Sequence, residues 1–297
     1  MNRLAALLGD HRPVLLDGAM GTLLQDSGLE DGHPGELWNL ENQDAVRAAH
    51  TAYADAGSRV LTTNTFGGTR PRLDMHGLGD RLAEVNRNAA RIARSVADGR
   101  GLLVAGDLGP TGELMAPLGT LTPEETQALF AEQVVALVEG GIDLVLVETL
   151  SDLAEADAAL AAAREVAPDL PIVVTMSFDT NLRTMMGVRP GDAVTHLAAA
   201  GADAVGANCG RGPEEMEVIA AEMVAARPDG LLLVAQSNAG LPQVVGDHFE
   251  YDASAEDMAA HATRLADLGI DLVGGCCGST PGHVAAIAAA LGQAGVR

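Results

Sequence analysis

Three cysteines are the residues best suited to chemistry in this sequence of 297 residues. Cys276 and Cys277 are adjacent in the stretch "LVGGCCGSTPGH", and Cys209 lies in "VGANCGRG". Three thiolates suit zinc, which favours tetrahedral sulfur and nitrogen ligation, and they leave one position open, as in catalytic zinc sites. The competing interpretation is that each cysteine packs as a small buried apolar residue.

A disulfide framework explains these thiols poorly. Their number is odd, and disulfide-rich domains are small secreted chains. The amino-terminal stretch "MNRLAALLGDHRPVLLDG" has too short an apolar run for a signal peptide. No window approaches the roughly eighteen apolar residues that would predict a membrane span. We therefore expect a reduced, cytoplasmic protein.

The overall charge excludes some functions. The formal net charge is −23, and the sequence has arginine but no lysine. Such a field repels phosphate backbones, which argues against nucleic-acid binding. Without lysine, the chain cannot form a Schiff base through a lysine side chain.

Eight short apolar runs, rich in β-branched residues, end in polar or glycine-rich tips. Because they are apolar throughout, they are typical of strands buried on both faces of a parallel sheet. These predicted strands are 13–18, 59–67, 102–112, 144–152, 172–179, 204–210, 231–240 and 272–278.

Alanine-rich amphipathic segments alternate with these strands. The segment "TPEETQALFAEQVVALVEGG" shows the start signals of a helix, with Thr122 as the N-cap, Pro123 first and Glu125 third. Glycines precede several strands and predict helix ends, at Gly57, Gly141, Gly201 and Gly269. Eight strand–helix pairs predict an α/β fold, a single (β/α)8 TIM barrel spanning 1–297 as one domain. An open doubly wound sheet is the alternative, but no GxGxxG follows the first strand.

In a (β/α)8 barrel, the carboxyl ends of the strands form the active-site face. The residues that the prediction places there are Asp17, Asn64, Asp107, Glu148, Asp179, Cys209, Asn238, Cys276 and Cys277. The cysteines belong to predicted strands six and eight, close enough in a closed ring to share one ion. Adjacent side chains on a strand point to opposite faces, so Cys276 and Cys277 can share a metal only where the strand ends. Flanking glycines give the backbone that freedom.

Together, several motifs resemble the homocysteine S-methyltransferase family over about residues 10–292. These motifs are "LLDGAMGTLLQ", "LTTNTFGGTRPRL", "GDLGPTGELMAPLG", "VETLSD", "GANCGRGPEEM", "SNAG" and "GGCCGSTPGH". The likeness is greatest to the homocysteine-binding module of cobalamin-dependent methionine synthases. It implies a (β/α)8 barrel whose cysteines, here Cys209, Cys276 and Cys277, hold one Zn²⁺ per chain.

The resemblance also assigns roles around the metal. It implies that Asn238 fills the fourth zinc position until homocysteine displaces it, although Ser237 stands where the related loop has proline. It implies that Asp17 and Glu148 bind the homocysteine ammonium group. We expect Gly18 and Asn64 to complete the substrate site, and backbone N–H groups near "DGAMGT" to take the carboxylate.

Plainer interpretations of these residues remain open. Asp17 can serve turn chemistry, and Glu148 can belong to a helix start. Asn64 and Asn238 can satisfy loop backbone, and Asp107 suits a structural role. We expect His283 to lie in the first turn of a helix rather than to bind zinc.

The source of the methyl group is the least determined part of the prediction. Only about twenty residues follow the cysteine pair, so a methylcobalamin donor is expected on a separate corrinoid protein. Freestanding relatives use S-methylmethionine, S-adenosylmethionine or betaine instead. Cationic donors favour aromatic cages, and the candidate aromatic residues here are few. They are Trp38, Tyr53, Phe66, Phe178 and Phe249.

Three alternative functions stay open. The acceptor could be another small thiol or a selenol bound to the same zinc. The barrel could store zinc or bind thiols without catalysis, or act as a redox sensor. A carbon–carbon lyase or pterin-binding barrel would use oxygen and histidine ligands for its metal. The absence of an HxH pair near predicted strand seven argues against a metal-dependent lyase.

Overall fold

A computed structural model describes residues 2–9, 13–30, 32–245 and 248–292, without the side chains of 244–249. Eight of its strands form one sheet, and all of their pairings are parallel. They are β1 Val14–Leu15, β2 Val60–Thr62, β3 Leu103–Leu108, β4 Leu144–Leu150, β5 Ile172–Met176, β6 Ala204–Cys209, β7 Leu232–Ser237 and β10 Leu272–Gly275. Each coincides with a predicted strand but is shorter, because the glycine-rich tips are loops.

The sheet curls into a nearly closed barrel. Its strand order is β1-β10-β7-β6-β5-β4-β3-β2, so the first and second strands lie at the two edges. The N–H of Arg59 donates to the carbonyl of Leu15 over 2.8 Å and joins these edges. The prediction of a single (β/α)8 TIM barrel is therefore confirmed, and the doubly wound alternative is wrong.

Helices surround the barrel. They are α1 Arg3–Leu8, α2 Met20–Asp26, α3 Trp38–Glu41, α4 Gln43–Ala56, α5 Arg70–Asp74, α6 Leu82–Ala97, α7 Pro123–Gly140, α8 Leu153–Val166, α9 Pro190–Ala200, α10 Pro213–Ala225, α11 Ala255–Leu268 and α12 Pro281–Ala290. None of the helices in the described ranges is long and apolar enough to cross a membrane.

The sequence signals for helix ends are confirmed. Thr122 and Glu125 form the expected capping box at the start of α7. The four predicted glycine stops all adopt the left-handed conformation that favours glycine, with φ of 113° at Gly57, 94° at Gly141, 100° at Gly201 and 99° at Gly269.

A small antiparallel hairpin between β7 and α11 is an addition that the sequence analysis did not predict. Its strands are β8 Gln243–Val245 and β9 His248–Glu250. Strands of three residues in a polar segment are too short to show the alternation by which strands are recognised.

Strand alternation separates the two largest clusters of buried apolar residues in the described part of the chain. Inside the barrel lies a cluster that α1 closes at the amino-terminal end with Leu4. On β4, Leu144 and Leu146 face this interior, whereas Val145 and Val147 pack outward against the helices. Because side chains alternate along a strand, the next inward position on β4 is Glu148.

Three equivalent ion pairs stabilise the amino-terminal end of the barrel. In each, the Asp directly before a strand accepts the backbone N–H of a residue on the neighbouring strand. The same carboxylate pairs with an Arg that lies in a preceding helix or just after it. These Asp–Arg clasps are Asp143 with Arg94 at 2.6 Å, Asp203 with Arg164 at 3.2 Å, and Asp271 with Arg227 at 2.8 Å. The N–H donors are Val104, Ile172 and Leu233, at 2.8–3.0 Å. Each Arg also donates to the carbonyl of a helix-ending glycine.

Candidate metal and substrate site

The inward-facing positions at the carboxyl end of the strands carry polar residues. Nearer the amino-terminal ends of the strands, the inward-facing positions carry aliphatic residues. Continuing the alternation along each strand gives this layer, which comprises Thr62, Asp107, Glu148, Thr175, Asn208, Gln236 and Cys276. Most of these side chains are buried. A buried polar layer at this end of a barrel is where catalytic sites form.

The three cysteines meet in this layer. Their sulfur atoms all lie within 4.8 Å of one another, and Cys209 Sγ is 2.9 Å from Cys276 Sγ. Cys209 ends β6 with a φ of 60°, which breaks the alternation at that residue. Strand β10 ends at Gly275, so Cys276 and Cys277 follow the strand rather than alternate across it. The structure therefore brings together the three sulfurs that the sequence analysis grouped.

Glycine is required directly after the cysteine pair. Gly278 has a φ of 76°, and a Cβ there would overlap the ring of Tyr251. The chain can therefore turn sharply after Cys277 while the aromatic ring packs close to it.

The three thiols strongly influence one another's pKa values. Hydrogen bonds from the Cys209 and Cys276 thiols lower the pKa of Cys277 to about 3. Hydrogen bonding between the sulfurs, burial and the negative charge of Cys277 raise the pKa of Cys276 well above its usual range. One thiolate thus forms readily, and three form together only when a cation offsets their repulsion.

Asn238 supplies an oxygen that suits such a cation. Its Nδ2 donates to the carbonyl of Gly210 over 2.8 Å, whereas its buried Oδ1 has no hydrogen-bond partner. Buried polar atoms are nearly always paired, so an unpaired oxygen on a side chain that bonds the residue after Cys209 fits a metal ligand. Three sulfurs and one oxygen match the coordination number that zinc takes in proteins.

Asn208 connects the three cysteines to β4 and β5, a role that the sequence did not suggest. Its Oδ1 accepts from the N–H of Thr149 and the hydroxyl of Thr175, both at 2.9 Å. Its Nδ2 donates to Thr149 Oγ1 at 2.6 Å and lies 3.8 Å from Cys209 Sγ. Thr149 has a φ of 63°, which is strained for a β-branched residue. Asn208 therefore holds the backbone next to Glu148. Its position directly before Cys209 is the sequence feature that could have identified it as part of the site.

A group of buried and half-buried carboxylates lies beside the thiols. Asp17 accepts hydrogen bonds from the N–H and hydroxyl of Thr62, at 2.6 and 2.7 Å, and burial raises its pKa to about 6. Burial, followed by the charges of Asp17 and Cys277, raises the pKa of Glu148 to about 8. Burial and the charge of Glu148 raise the pKa of Asp107 well above its usual range, and Asp107 Oδ1 has no partner. Asp107, expected to be structural, thus joins an acidic pocket with Asp17 and Glu148.

Two other predicted substrate residues have well-defined surroundings. Asn64 uses its Nδ2 to bond the carbonyl of Gly35 and the side chain of Asn39, at 2.7 and 3.0 Å. This arrangement supports the loop-backbone interpretation, and its contact with substrate stays a prediction. At Gly18, a Cβ would lie within 2.9 Å of Ser279 and Tyr53, so no larger residue fits.

Further residues from the sequence analysis lie away from the cluster. Asp179 is exposed and accepts from the neighbouring hydroxyl of Thr180. His283 is confirmed as a residue of the first turn of α12, where its Nδ1 accepts from the N–H of Thr280.

The candidate aromatic residues do not share one environment. Tyr53 and Phe178 are buried, and Tyr53 bonds backbone carbonyls through its hydroxyl. Trp38 packs in a small cluster with Leu24 and Val46. Phe66 is half-buried against Gly109, and the side chain of Phe249 lies outside the described residues.

Comparison with known proteins places this geometry in context. Residues 14–291 match the family described as homocysteine S-methyltransferase. Methionine synthases from Mycobacterium leprae and Mycobacterium tuberculosis are 32% and 33% identical over 95% of the chain. The chain spans about a quarter of their length, 24% and 25%. The metallated crystal structure of the homocysteine methyltransferase MmuM from Escherichia coli has a TM-score of 0.80 at 26% identity, covering 97% of this chain and 99% of that one. The chain therefore belongs to the homocysteine S-methyltransferase family.

Proposed function

We propose that residues 1–297 form a homocysteine-binding module that methylates homocysteine to methionine at a zinc site. The observation that carries the proposal is the cluster of Cys209, Cys276 and Cys277 beside the unpaired Oδ1 of Asn238. When bound to the three sulfurs, zinc supplies the positive charge that keeps a fourth, substrate thiol deprotonated at neutral pH.

The acidic pocket suits the other end of the substrate. Asp17 and Asp107 are buried, Glu148 is half-buried, and loss of solvent around each carboxyl raises its pKa. The ammonium group of homocysteine offers the missing charge and several N–H donors, and its binding would lower those pKa values again. This pocket distinguishes an amino acid thiol from a thiol without an amino group.

The carboxylate of the substrate is the third recognition element. We infer that it lies near the backbone of "DGAMGT", which follows β1. The N–H of Ala19 is already bonded to the hydroxyl of Ser279 at 3.1 Å, so other N–H groups of this turn are the available donors.

The reaction that follows needs no external oxidant or reductant. The substrate thiol loses its proton, and a lone pair of its sulfur forms the new bond to the methyl carbon. The bond between that carbon and the donor breaks, and its electron pair stays with the donor. The protein contributes by holding sulfur, ammonium and carboxylate in fixed positions, which removes the entropy cost of orienting the acceptor.

The rim of the barrel mouth favours a protein-bound donor over a small one. In the loop after β3, Leu114 and Leu118 are 55% and 65% exposed, and in the loop after β5, Met185 is 69% exposed. Exposed apolar residues grouped around a site are typical of protein contacts. We therefore propose a separate methylcorrinoid protein as donor, with S-methylmethionine as the alternative.

A methyl-transfer assay tests the proposed function. Zinc-loaded protein is given L-homocysteine with methylcobalamin, S-methylmethionine, S-adenosylmethionine or betaine, and methionine is quantified. We expect methionine from methylcobalamin or S-methylmethionine, and its loss in Cys276→Ala. Multiple turnover would exclude a non-catalytic zinc-binding barrel. Failure of homocysteine to bind the zinc-loaded protein would contradict the acceptor, and a preference for selenohomocysteine would point to a selenol.

A further inference from the structure

A buried hydrogen-bond chain runs outward from the end of β7. The hydroxyl of Ser237 lies 2.6 Å from Nε2 of His261 in α11. Nδ1 of His261 lies 2.8 Å from Oε1 of Glu217 in α10, and Arg264 bonds the same oxygen. Ser237 is fully buried and His261 is 2% exposed. We name Ser237, His261 and Glu217 the β7 anchor.

The direction of the hydrogen bonds follows from the carboxylate. Hydrogen bonds from His261 and Arg264 lower the pKa of Glu217 despite partial burial, so it accepts. Nδ1 of His261 must then carry the proton and Nε2 must be the acceptor. Burial lowers the pKa of His261, which keeps the ring neutral. Ser237 therefore donates, and its side chain is fixed in one orientation.

The β7 anchor contains the same three residue types, in the same hydrogen-bonding order, as a catalytic serine–histidine–acid triad. Its geometry, however, does not allow the serine to act as a nucleophile. Ser237 alternates with the inward-facing Gln236 and points to the helices rather than to the mouth. With no exposed surface, its hydroxyl is out of reach of a substrate. The β7 anchor therefore acts through the residues next to it.

The residues next to the β7 anchor are the three cysteines and Asn238. In the sheet, Ser237 pairs with Cys209 on one side and with Gly275 on the other. The carbonyl of Ser237 accepts the N–H of Cys276 at 2.8 Å, and the N–H of Ala239 donates to the carbonyl of Cys277 at 3.0 Å. Asn238 lies between these two bonds. The turn 237–239 thus contacts both cysteines and carries the unpaired oxygen.

We propose that the β7 anchor is a positioning device that fixes the turn bearing Asn238, and thereby sets how firmly this side chain holds the metal before the substrate thiol replaces it. The inference rests on the proposed zinc site. The groups that accompany metal ligands typically change metal affinity by about 10- to 100-fold when they are removed.

Cobalt-substituted protein tests the β7 anchor without relying on activity. Cobalt(II) affinity is measured by chelator competition, and the visible spectrum is recorded with and without L-homocysteine. The variants are Ser237→Ala and His261→Leu, with His261→Gln as a rescue, because an amide can accept from Ser237 and donate to Glu217. Thr126→Val is the matched control, since it removes another buried hydroxyl. That hydroxyl lies in α7 and donates to the carbonyl of Thr122, the N-cap of the helix.

Without homocysteine, we expect Ser237→Ala and His261→Leu to weaken cobalt binding about 10-fold and to shift the visible bands. With homocysteine bound, the difference from the wild type should fall to about 2-fold, because Asn238 no longer holds the metal. His261→Gln should match the wild type, and Thr126→Val should lower only the melting temperature.

Unchanged affinity and spectra in both Ser237→Ala and His261→Leu would overturn the inference and leave the proposed function intact. A loss that homocysteine does not reduce would also overturn it, since the anchor would then act on the cysteines. A wild-type protein that does not bind cobalt through its thiols would overturn both proposals.

Discussion

The two ends of the barrel hold their buried carboxylates in different ways. At the amino-terminal end, every carboxylate of the Asp–Arg clasps accepts a backbone N–H and faces a guanidinium. At the carboxyl end, Asp17, Asp107 and Glu148 lie together, and no ion pair with an arginine or histidine is found for them among the described residues. The first arrangement is complete by itself, whereas the second needs a ligand.

This difference separates stability from function within one fold. Paired groups lower the free energy of the folded chain, and unpaired buried groups raise it. A site that binds a cation and an ammonium group must keep its carboxylates and thiols free of arginine and histidine partners. Unpaired atoms are not sufficient evidence of a site, because both nitrogens of His50 in α4 also lack partners. The acidic pocket is distinguished by its position at the mouth beside the thiols.

Removing one sulfur should produce the largest effect. Cys209→Ala leaves two thiols, and we expect zinc affinity to fall by more than about 100-fold, beyond what groups around a metal contribute. The measurement is competition with a chromophoric chelator. Because no clasp is touched, unfolding of the metal-free variant should resemble that of the metal-free wild type. Retained affinity would show that Cys209 is not a ligand.

Breaking a clasp should lower the stability of the protein and leave its turnover unchanged. Asp203→Ala removes the partner of Arg164 and leaves the N–H of Ile172 without an acceptor. We expect a loss of about 2–3 kcal/mol in the free energy of unfolding by urea. Turnover per folded molecule should not change, and a drop in turnover would show that the two ends are not independent.

Asn208→Asp tests how a neighbouring polar residue affects the site at the carboxyl end of the barrel. The substitution keeps the shape but replaces the N–H donors to Thr149 with an acceptor and adds negative charge near Cys209. We expect zinc affinity to fall about 10-fold and the KM for homocysteine to rise as Glu148 shifts. If the variant altered only the melting temperature, Asn208 would have a purely structural role.

Glu148→Gln reveals the energetic cost of the acidic pocket. The folded-state pKa of Glu148 is raised to about 8 from 4.5, so its contribution to stability is present below pH 4.5 and is lost as pH rises through 8. Metal-free Glu148→Gln should therefore gain stability relative to the wild type between pH 5 and pH 8, as melting temperatures would show. The KM for homocysteine should rise about 10-fold, since one charge-assisted contact to the ammonium is lost. A difference in melting temperature that does not change with pH would show that the pKa of Glu148 is not raised in the folded protein.

The sequence was sufficient for the barrel because its signals are local and repeated. Apolar runs mark the strands, and residues such as Thr122, Gly141 and Gly201 mark the helix ends. The cysteine cluster was also predictable, because the carboxyl ends of parallel strands meet at one face.

Other features depend on contacts between distant segments. Asn208 bonds Thr149, 59 residues away, and His261 reaches Ser237 across 24 residues. Neither pairing leaves a periodic pattern. The pKa of Asp107 likewise depends on Glu148, which approaches it only in the folded barrel. The hairpin β8–β9 was missed because its strands are too short to show alternation.

We propose that the homocysteine thiol replaces Asn238 on zinc held by Cys209, Cys276 and Cys277. The decisive experiment is X-ray absorption at the zinc edge, with and without L-homocysteine. We expect a change from three sulfur ligands and one oxygen to four sulfur ligands at about 2.3 Å. An unchanged coordination shell at saturating homocysteine would show that the thiol does not bind the zinc.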